Sequence, residues 1–579
     1  MDTILSPEQT SQNNPFLISN MKMKNRKIVI CVITAFLIAG STAMFSFRSA
    51  DDNYFEISKN IDIFATLFRE LNIYYVEETN PSDLVQRGID SMLATLDPYT
   101  QFIPESDMED YRYLTTGQYG GIGALIGQRD NYVIITDPYE GFPAQKAGIM
   151  SGDKILEIDG FSMINKNYDE VSRLLKGTPK SNVTIKIERT GQSSPIVITV
   201  MREEIKIKNV PYYGMLNNDI AFIRLGSFTE DAGSEVKNAL EELKRKNTVK
   251  GIVLDLRGNP GGLLNEAVNV VNVFVDKGQE VVSTRGKMKE LNKTYRTLNS
   301  TVDTKTPMVT LVNSGSASAA EIVSGSLQDL DRSVILGQRT FGKGLVQTTR
   351  ALSYNTQLKV TTSKYYIPSG RCIQALDYSH RNADGSVGKV PDSLMSAFKT
   401  KNGRKVFDGG GINPDFVINV PDLSAISASL ITKYLLFDYA TLYKIQHTSI
   451  PAAKSFSLTD NDFEDFKKWV STKEYDYTTA SEKKLEELKT SAQKEKYYDA
   501  ISQQYELVKK QLTHDKTQDM LIHKAEISEL IVNEIVSRYY YQDGRTESSF
   551  NYDPEIKMAI KTLSDPNIFS AIMNRTFKE

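Results

Sequence analysis

"PMVTLVNSGSASAAEIVSGSL", residues 307–327, joins a predicted buried strand, Pro307–Val312, to a predicted helix, Ala317–Leu327. The turn between them consists of small residues, which let a backbone and a ligand approach each other closely. A serine at the start of a helix lies in the positive field of the helix N-terminus, which favours an anion. Taken alone, such a turn more often caps a helix or holds a phosphate than it carries a nucleophile.

Strands and helices alternate on both sides of this segment. The predicted elements are the strands Ile220–Leu225, Gly251–Leu256 and Ser333–Leu336 and the helices Ala232–Lys244 and Leu263–Val275. This alternation predicts an α/β core over residues 205–420. The chain as a whole is too long for one core, so several domains are expected.

A second segment, "TFGKGLVQ" at residues 340–347, places one lysine, Lys343, between two glycines among apolar residues. If such a lysine is buried, its pKa falls and it can accept a proton from a serine near neutral pH. The alternative is an anion-binding lysine, because "GQRTFGKG" (residues 337–344) fits the start of a P-loop. Gly344, however, stands where a P-loop needs a Ser or Thr hydroxyl.

The positions of the histidines favour a lysine base. The four are His380, His447, His514 and His523, and none precedes residue 380. A Ser-His-Asp triad would have to recruit His380 or a histidine of the C-terminal region, whereas a Ser-Lys pair needs none.

Residues 112–204 predict a separate module. "YGGIGALI" (119–126) is a glycine-rich turn that leads into a strand, and "PAQKAGIMSGDKILEIDG" (143–160) follows. These phrases and the order of strands and helices resemble a PDZ domain. The resemblance implies that backbone N–H groups of the turn bind a terminal carboxylate beside an open strand edge, with helix Tyr168–Leu175 as the far wall. The expected peptide-binding residues are Gly121, Ile122, Gly123 and Ala124.

"NSGSASAAEI" (313–322) followed by "TFGKGLVQ" resembles the carboxyl-terminal processing protease family, also called tail-specific proteases. The resemblance implies a multidomain α/β and α+β protein: a ClpP/crotonase-like protease core, an inserted PDZ domain and flanking helical domains. It also implies a Ser-Lys dyad in which Ser318 is the nucleophile, Lys343 is the general base and Gln347 orients the lysine. Ser314 and Ser316 are rival nucleophiles that do not fit the register of the family motif.

A glycine-rich loop, "LDLRGNPGG" at residues 254–262, also resembles the family. It implies an oxyanion hole formed by the backbone N–H of Ala319 together with that of Gly261 or Gly262, a choice that the sequence leaves open. Asp255 and Arg257 are expected to hold the shape of the loop.

The resemblance covers residues 53–420, including "LDPYTQFIP" (96–104) and "SGRCIQ" (369–374). Two regions depart from it: an insertion-like stretch at 375–411 and the tail at 425–579, which predicts a helical domain for scaffolding, self-association or adaptor binding. Arg173 and Lys176 are candidates for coupling the PDZ domain to the protease, with surface salt bridges as the alternative.

The N-terminus predicts export. Basic residues at 22–27 precede residues 28–47, which carry no charge and are long enough to span a bilayer. We expect a cytoplasmic tail (1–27), a transmembrane signal anchor or signal peptide (28–47) and a helical domain at 53–110. The remainder is expected in the cell envelope, on the periplasmic side.

Composition excludes some classes of function. The formal net charge of −3 argues against a nucleic-acid partner, and two cysteines with four histidines leave little for a zinc site. No metal or other cofactor is expected. The sequence thus predicts a serine endopeptidase that binds the apolar C-terminal tails of proteins on its PDZ domain. The alternatives are a catalytically silent PDZ scaffold and a phosphate-binding α/β protein.

Overall fold

The computed structural model describes residues 54–382, 384–512 and 516–577. The predicted membrane segment at 28–47 lies outside them. In the part of the chain that is described, no helix combines the length and the apolar character needed to cross a bilayer. The chain divides into two compact units, with the boundary after Met92.

The first unit contains helix α1 (54–74) and helix α2 (Pro81–Ala94). The Thr79 hydroxyl donates to Asn72 Oδ1 at 2.7 Å, which fixes the connection between the helices. Asn80 Oδ1 accepts the Ser82 N–H at 3.1 Å, and Pro81 occupies the first helical turn, where a missing N–H costs nothing. The unit boundary after Met92 falls within α2, and the bounds of the helical domain expected at 53–110 stay a prediction.

The second unit begins with a strand, a helix and a strand: β1 (Gln101–Ile103), α3 (Met108–Thr116) and β2 (Gln118–Gly121). An antiparallel sheet of the order β3-β4-β5-β7-β8 follows, with β6 paired to β5, and forms the PDZ domain around its own apolar core. Its elements are β3 (Ala124–Arg129), β4 (Tyr132–Pro138), α4 (Pro143–Lys146), β5 (Lys154–Ile158), β6 (Phe161–Ser162), α5 (Tyr168–Leu175), β7 (Asn182–Glu188) and β8 (Ile196–Met201). Strand β9 (Glu203–Lys206) returns to pair with β2.

The α/β core predicted over residues 205–420 is built on a six-stranded sheet of the order β10-β11-β12-β15-β16-β23, parallel except between β10 and β11. Its strands are β10 (Tyr212–Met215), β11 (Ile220–Arg224), β12 (Gly251–Asp255), β15 (Met308–Val312), β16 (Val334–Gly337) and β23 (Phe416–Val417). The helices α6 (Ala232–Lys246), α7 (Leu264–Phe274) and α8 (Ala319–Asp329) share a core with one face. Strands covered on both faces read as nearly continuous apolar runs, as residues 251–254 and 308–312 do.

A second, antiparallel sheet joins β1 to strands of the core. Its other members are β13 (Glu280–Gly286), β14 (Lys293–Arg296), β17 (Leu345–Ala351) and β18 (Gln357–Tyr366). The stretch 375–411 contains two small hairpins, formed by β19 (Leu376–Arg381) with β20 (Val387–Lys389) and by β21 (Ala397–Lys399) with β22 (Lys405–Phe407).

The C-terminal helices divide between two cores. Those that build a separate helical core are α9 (Ala425–Thr432), α10 (Leu435–Gln446), α11 (Asp460–Val470), α14 (Lys516–Ile522) and α15 (Lys524–Ser549). The last two, α16 (Pro554–Ser564) and α17 (Pro566–Met573), instead cover the second face of the protease sheet. The tail at 425–579 is thus partly a separate domain and partly a layer of the protease.

A kink divides the helical stretch at residues 480–512. The apolar pattern at 485–512 resolves into α12 (Ala480–Lys494) and α13 (Tyr498–Leu512), because Lys496 adopts a left-handed conformation (φ 60°) that ends a right-handed helix. The helical domain also contacts the PDZ domain, since Arg129 forms a bidentate ion pair with Asp438 at 2.7 Å.

Candidate active site

Ser318 lies at the junction of β15 and α8, as the sequence predicts. Its backbone angles, φ 55° and ψ −111°, fall outside the regions that a non-glycine residue normally adopts. Such a conformation costs about 1 to 3 kcal/mol and persists only where neighbours enforce it. Here the Ser318 carbonyl accepts the N–H groups of Glu321 and Ile322, both at 2.9 Å, and the buried Tyr365 hydroxyl donates to the same carbonyl at 3.2 Å. The fold therefore holds Ser318 in a strained turn at the tip of a helix.

Glu321, one turn into α8, connects the serine turn to the lysine loop. Its Oε2 accepts the N–H of Ser318 at 2.9 Å and the N–H of Lys343 at 2.8 Å. Its Oε1 accepts the Thr340 hydroxyl at 2.6 Å and the Gly342 N–H at 2.7 Å. Burial raises the pKa of Glu321, and these four donors oppose that effect because they favour the carboxylate. One buried carboxylate thus fixes the backbone of both predicted dyad residues.

The loop that carries Lys343 is shaped by the glycine before it. Gly342 has φ 88°, and a Cβ at that position would lie 2.4 Å from the Cβ of Ala375. Only glycine tolerates both the left-handed backbone and this close approach. The need for a glycine before Lys343 is therefore explained by packing against Ala375.

The amine of Lys343 lies in a half-buried position over an aromatic ring. Its Nζ is 4.2 Å from the ring centroid of Tyr99, within the range of a cation–π contact. Burial, followed by the charge of Lys359, lowers the pKa of Lys343 to about 8, while Asp97 and Glu321 oppose this shift. A lysine with this pKa is partly neutral near physiological pH and can act as a base.

Gln347 lies in β17, which begins at Leu345, two residues after Lys343. The register of β17 against β18 shifts between Val346 and Gln347, so strand alternation does not fix which way Gln347 faces relative to Lys343. The Gln347 amide donates to the Thr361 hydroxyl at 3.1 Å. Its proposed role in orienting Lys343 stays a prediction.

The glycine-rich loop after β12 lies directly against the serine turn. A Cβ on Gly261 (φ 97°) would come within 2.8 Å of both the Ala319 nitrogen and the Ser318 Cβ. The Gly261 N–H donates to Asn259 Oδ1 at 2.9 Å, and the Gly261 carbonyl accepts the Phe228 N–H at 3.2 Å. In a trans peptide, the N–H of the next residue points away from that carbonyl. The Gly261 N–H thus has a side-chain acceptor, whereas the Gly262 N–H faces away from Phe228; the oxyanion role of either glycine stays a prediction.

Ala319 is the first residue of α8, so its N–H has no partner within the helix. The oxyanion role that the family resemblance implies for this N–H stays a prediction. The two residues of the loop that were expected to hold its shape do so. Arg257 pairs with Asp255 at 2.8 Å, and its guanidinium also reaches Asp553 at 2.7 Å and Glu555 at 2.5 Å at the start of α16.

The rival nucleophiles differ in their surroundings. Ser316 is fully buried, and its hydroxyl donates to the Leu256 carbonyl at 2.8 Å and accepts the Asn313 N–H at 3.0 Å. Ser314 lies on the exposed turn before it. Ser316 therefore has a structural role in joining the serine turn to the glycine loop.

Two alternatives that the sequence offers, His380 as the base and a phosphate-binding loop, do not fit the described residues. His380 lies on β19 with 86% of its side chain exposed and pairs with Asp377 at 2.7 Å. Residues 337–344 lead into strand β17, whereas a P-loop opens a helix, so the phosphate-binding interpretation is wrong. Among the described residues, no group of three or more His, Cys, Asp or Glu side chains could hold a metal ion.

The predicted peptide groove lies between β3 and α5. Gly121 ends β2 and Ala124 begins β3, with the intervening turn packed inward: the Ile122 carbonyl accepts the Ala144 N–H at 2.8 Å, and the Gly123 carbonyl accepts the Tyr139 N–H at 3.0 Å. Strand β3 is an edge of its sheet, so it can accept an extended peptide.

Of the two residues considered for coupling, Lys176 forms an ion pair with Asp110 of α3 at 2.6 Å. This contact joins the end of α5 to the helix that precedes the PDZ domain. Both side chains are substantially exposed, so the pair contributes little to stability.

Sequence reasoning missed two residues of this site, Glu321 and Tyr99. Both stand inside quoted phrases, "NSGSASAAEI" and "LDPYTQFIP", but neither carried a signal of its own. A glutamate in the first turn of a helix is common because it complements the helix dipole. A tyrosine far from the core in sequence gives no indication of its contact with Lys343.

Comparison with known proteins agrees with this architecture. A family model described as Peptidase family S41 matches residues 219–379, a PDZ domain model matches 134–189, and a model described as "Probable PDZ-protease, C-terminal helical domain" matches 426–563. A carboxy-terminal-processing protease of Bartonella bacilliformis is 36% identical over 355 residues, which are 61% of this chain and 81% of that protein.

A probable CtpA-like serine protease of Staphylococcus haemolyticus is 30% identical over 476 residues, 81% of this chain and 83% of that protein. Among solved structures, a photosystem II D1 C-terminal processing protease is 28% identical, with 61% of this chain and 86% of that chain covered and a TM-score of 0.34. The chain belongs to peptidase family S41 and is a serine protease of the carboxy-terminal-processing kind with a PDZ domain.

Proposed function

We propose that this protease cleaves proteins with a Ser318–Lys343 dyad after its PDZ domain has bound their apolar C-terminal tails. The observation that carries the proposal is that the backbone N–H groups of both residues donate to the same carboxylate oxygen. Their N–H groups lie 2.9 and 2.8 Å from the same Glu321 oxygen, so the two backbone nitrogens are within about 6 Å of each other. Residues of two distant loops are thus held side by side.

In the proposed reaction, neutral Lys343 accepts the proton of the Ser318 hydroxyl as the oxygen attacks the scissile carbonyl. The N–H groups of Ala319 and Gly262 stabilise the oxyanion. The Lys343 ammonium then returns a proton to the leaving amine, and a water molecule hydrolyses the acyl-enzyme by the same path. The PDZ groove selects substrates by their free carboxyl end.

The dyad is tested with Ser318→Ala and Lys343→Ala, assayed on an internally quenched fluorogenic peptide with a free apolar C-terminus. We expect each variant to lose at least about 10³-fold in kcat, because each removes a group that acts as part of one unit. Ser314→Ala, four residues earlier on the exposed turn, is the matched control. A fluorophosphonate probe should label Ser318 in the wild type, and labelling at Ser314 or none at all would favour another nucleophile or a silent scaffold.

The role of the PDZ domain is tested with the same peptide bearing a C-terminal amide. We expect KM to rise while kcat changes little, because the amide cannot make the charged hydrogen bonds of a carboxylate. Equal kinetic constants for the two peptides would contradict tail recognition.

The proposed location is the cell envelope, with the protease on the periplasmic side. The support is the basic stretch at 22–27 before the charge-free stretch at 28–47. Fusion of residues 1–53 to alkaline phosphatase, which is active only after export, should give active reporter in a bacterial host. An inactive reporter would place the protease in the cytoplasm.

A further inference from the structure

One motif of the sequence, "LDPYTQFIP" at residues 96–104, supplies no member of the proposed dyad or oxyanion hole, although its Tyr99 lies against the Lys343 amine. Strand β1 pairs antiparallel with β18, with Gln101 opposite Lys359. The Asp97 carboxylate fixes the turn before this strand by accepting the N–H groups of Tyr99 at 2.8 Å and Thr100 at 2.9 Å.

The turn presents the ring of Tyr99 to the amine of Lys343. The Nζ lies 4.2 Å from the ring centroid. Tyr378 packs edge-on against Tyr99, with ring centroids 6.3 Å apart and planes at 81°, and supports the ring from the side. Within residues 54–382, 384–512 and 516–577, neither a hydrogen bond nor an ion pair holds the Lys343 amine. The aromatic face is therefore the contact that defines its position.

Hydrogen bonds extend from the same turn toward Gln347. The Thr100 hydroxyl donates to Asp97 Oδ2 at 3.0 Å, and it accepts the Thr361 N–H at 3.2 Å. The Thr361 hydroxyl in turn accepts the Gln347 amide at 3.1 Å. The turn thus contacts Lys343 directly and is linked through Thr361 to Gln347.

We infer that Tyr99 is a positioning residue of the protease, whose ring shields the Lys343 amine from water and holds it beside the serine turn. The inference rests on the proposed dyad and adds a group that the dyad requires. A lysine side chain has four rotatable bonds, so an amine without polar partners needs an apolar wall to keep one position. The ring supplies this wall and also attracts the amine when it is protonated.

Other charges face the same amine. Lys359 of β18 disfavours the ammonium, whereas Asp97 and Glu321 favour it. Burial is the largest of these influences, and it lowers the pKa of Lys343. Removing the ring should hydrate the amine and raise its pKa, because burial is the largest cause of the shift. Replacing the ring by an aliphatic group of similar reach should keep the amine dry and remove the attraction for the ammonium, which lowers the pKa.

The test compares pH profiles of kcat/KM for the quenched peptide in Tyr99→Ala, Tyr99→Leu and Tyr99→Phe. We expect the acidic limb of Tyr99→Ala to move to higher pH by about one unit or more, with activity at pH 7 falling about tenfold for each unit. The limb of Tyr99→Leu should move to lower pH, with kcat reduced. Tyr99→Phe keeps the ring face and should restore the wild-type profile.

Tyr497→Ala, which removes an exposed tyrosine of the helical domain, is the matched control and should change nothing. Because shifts of opposite sign in two variants do not arise from a general loss of folding, the pair separates positioning from stability. If Tyr99→Ala and Tyr99→Leu both keep the wild-type kcat and the wild-type pH profile of kcat/KM, the inference is overturned. Full activity of Lys343→Ala would instead overturn the dyad itself, so the two failures are distinguishable.

Discussion

The Glu321 carboxylate accepts the backbone N–H of Lys343 at 2.8 Å, although the two residues are 22 positions apart and lie in a helix and a loop. The same oxygen accepts the N–H of Ser318. The proposed nucleophile and base therefore share one buried anchor, and their separation is set by backbone hydrogen bonds. Flexible side chains alone could not define that separation.

Glu321→Gln should disrupt this anchor. An amide has one acceptor oxygen and one donor nitrogen, so its NH₂ group would face two donors that the carboxylate now binds. We expect the free energy of unfolding to fall by about 1 to 3 kcal/mol and kcat to fall with little change in KM. Chemical denaturation and peptide cleavage measure both quantities. Glu290→Gln, at an exposed position, is the control, and equal kcat values in the two variants would contradict the anchoring role.

The activity should rise with pH as Lys343 loses its proton. The pKa of Lys343 is lowered to about 8, so the neutral base becomes the major form above that pH. We expect kcat/KM to increase about tenfold per unit below pH 8 and to level off above it. Lys343→Arg, which stays protonated throughout, should be inactive at every pH. A wild-type rate that is constant from pH 6 to pH 9 would be inconsistent with a lysine base.

The same lysine should reduce the stability of the protein. Because folding lowers its pKa from 10.5 to about 8, the unfolded chain binds this proton more tightly, and the folded state is penalised at pH values below 10.5, fully so below about 8. We expect Lys343→Met to raise the free energy of unfolding by about 1 to 2 kcal/mol at pH 7, a value reduced for partial exposure. This gain should be full below pH 8 and should shrink as the pH rises toward 10.5.

Denaturant unfolding at several pH values measures this gain, with the inactive Ser318→Ala protein as the reference. A Lys343→Met protein that is less stable than the reference at pH 7 would show that the lysine is not penalised by burial.

Gly261→Ala should damage the oxyanion hole. The new Cβ would lie 2.7 Å from the Ala317 carbonyl and 2.8 Å from the Ala319 nitrogen, so the glycine loop and the serine turn must separate. We expect kcat to fall by about 10² or more, because an oxyanion donor is displaced.

Gly278→Ala provides the matched control for Gly261→Ala. Gly278 has a similar φ of 90°, but no atom lies within 4 Å of an added Cβ. Backbone strain alone should reduce stability by about 1 kcal/mol in both variants without affecting kcat in the control. A loss of kcat in Gly278→Ala as large as that in Gly261→Ala would assign the effect to stability.

Arg257→Met should reveal the connection between the glycine loop and the C-terminus. The Arg257 guanidinium forms ion pairs with three carboxylates, those of Asp255, Asp553 and Glu555, and is itself largely buried. Removing it leaves uncompensated buried charge, which typically costs about 3 to 5 kcal/mol. We expect lower stability and lower activity together, whereas Arg245→Met on the exposed side of α6 should change neither. An unchanged melting temperature in Arg257→Met would contradict this coupling.

Local patterns predicted much of the fold correctly. The strand and helix around Ser318 were visible because a fully apolar strand, a turn of small residues and an apolar-periodic helix follow one another without interruption. The PDZ domain was recognisable because its turn and short helix occur in a fixed order over a short span. Long-range packing was less accessible, since nothing in the local pattern indicates that α16 and α17 cover the protease sheet.

Within the site, the amino-acid sequence by itself determined the residue types and their local settings: a serine at a helix start, a lysine between glycines and a glycine loop after a buried strand. Only the tertiary structure decided which groups surround them. Glu321 reaches Lys343, and Tyr99 covers its amine, through contacts between segments that are far apart in the chain. The physical reason is that secondary structure follows from neighbouring residues, whereas the pKa of a lysine depends on which distant segments bury it. Here that burial relies on the pairing of β1 with β18, which are more than 200 residues apart.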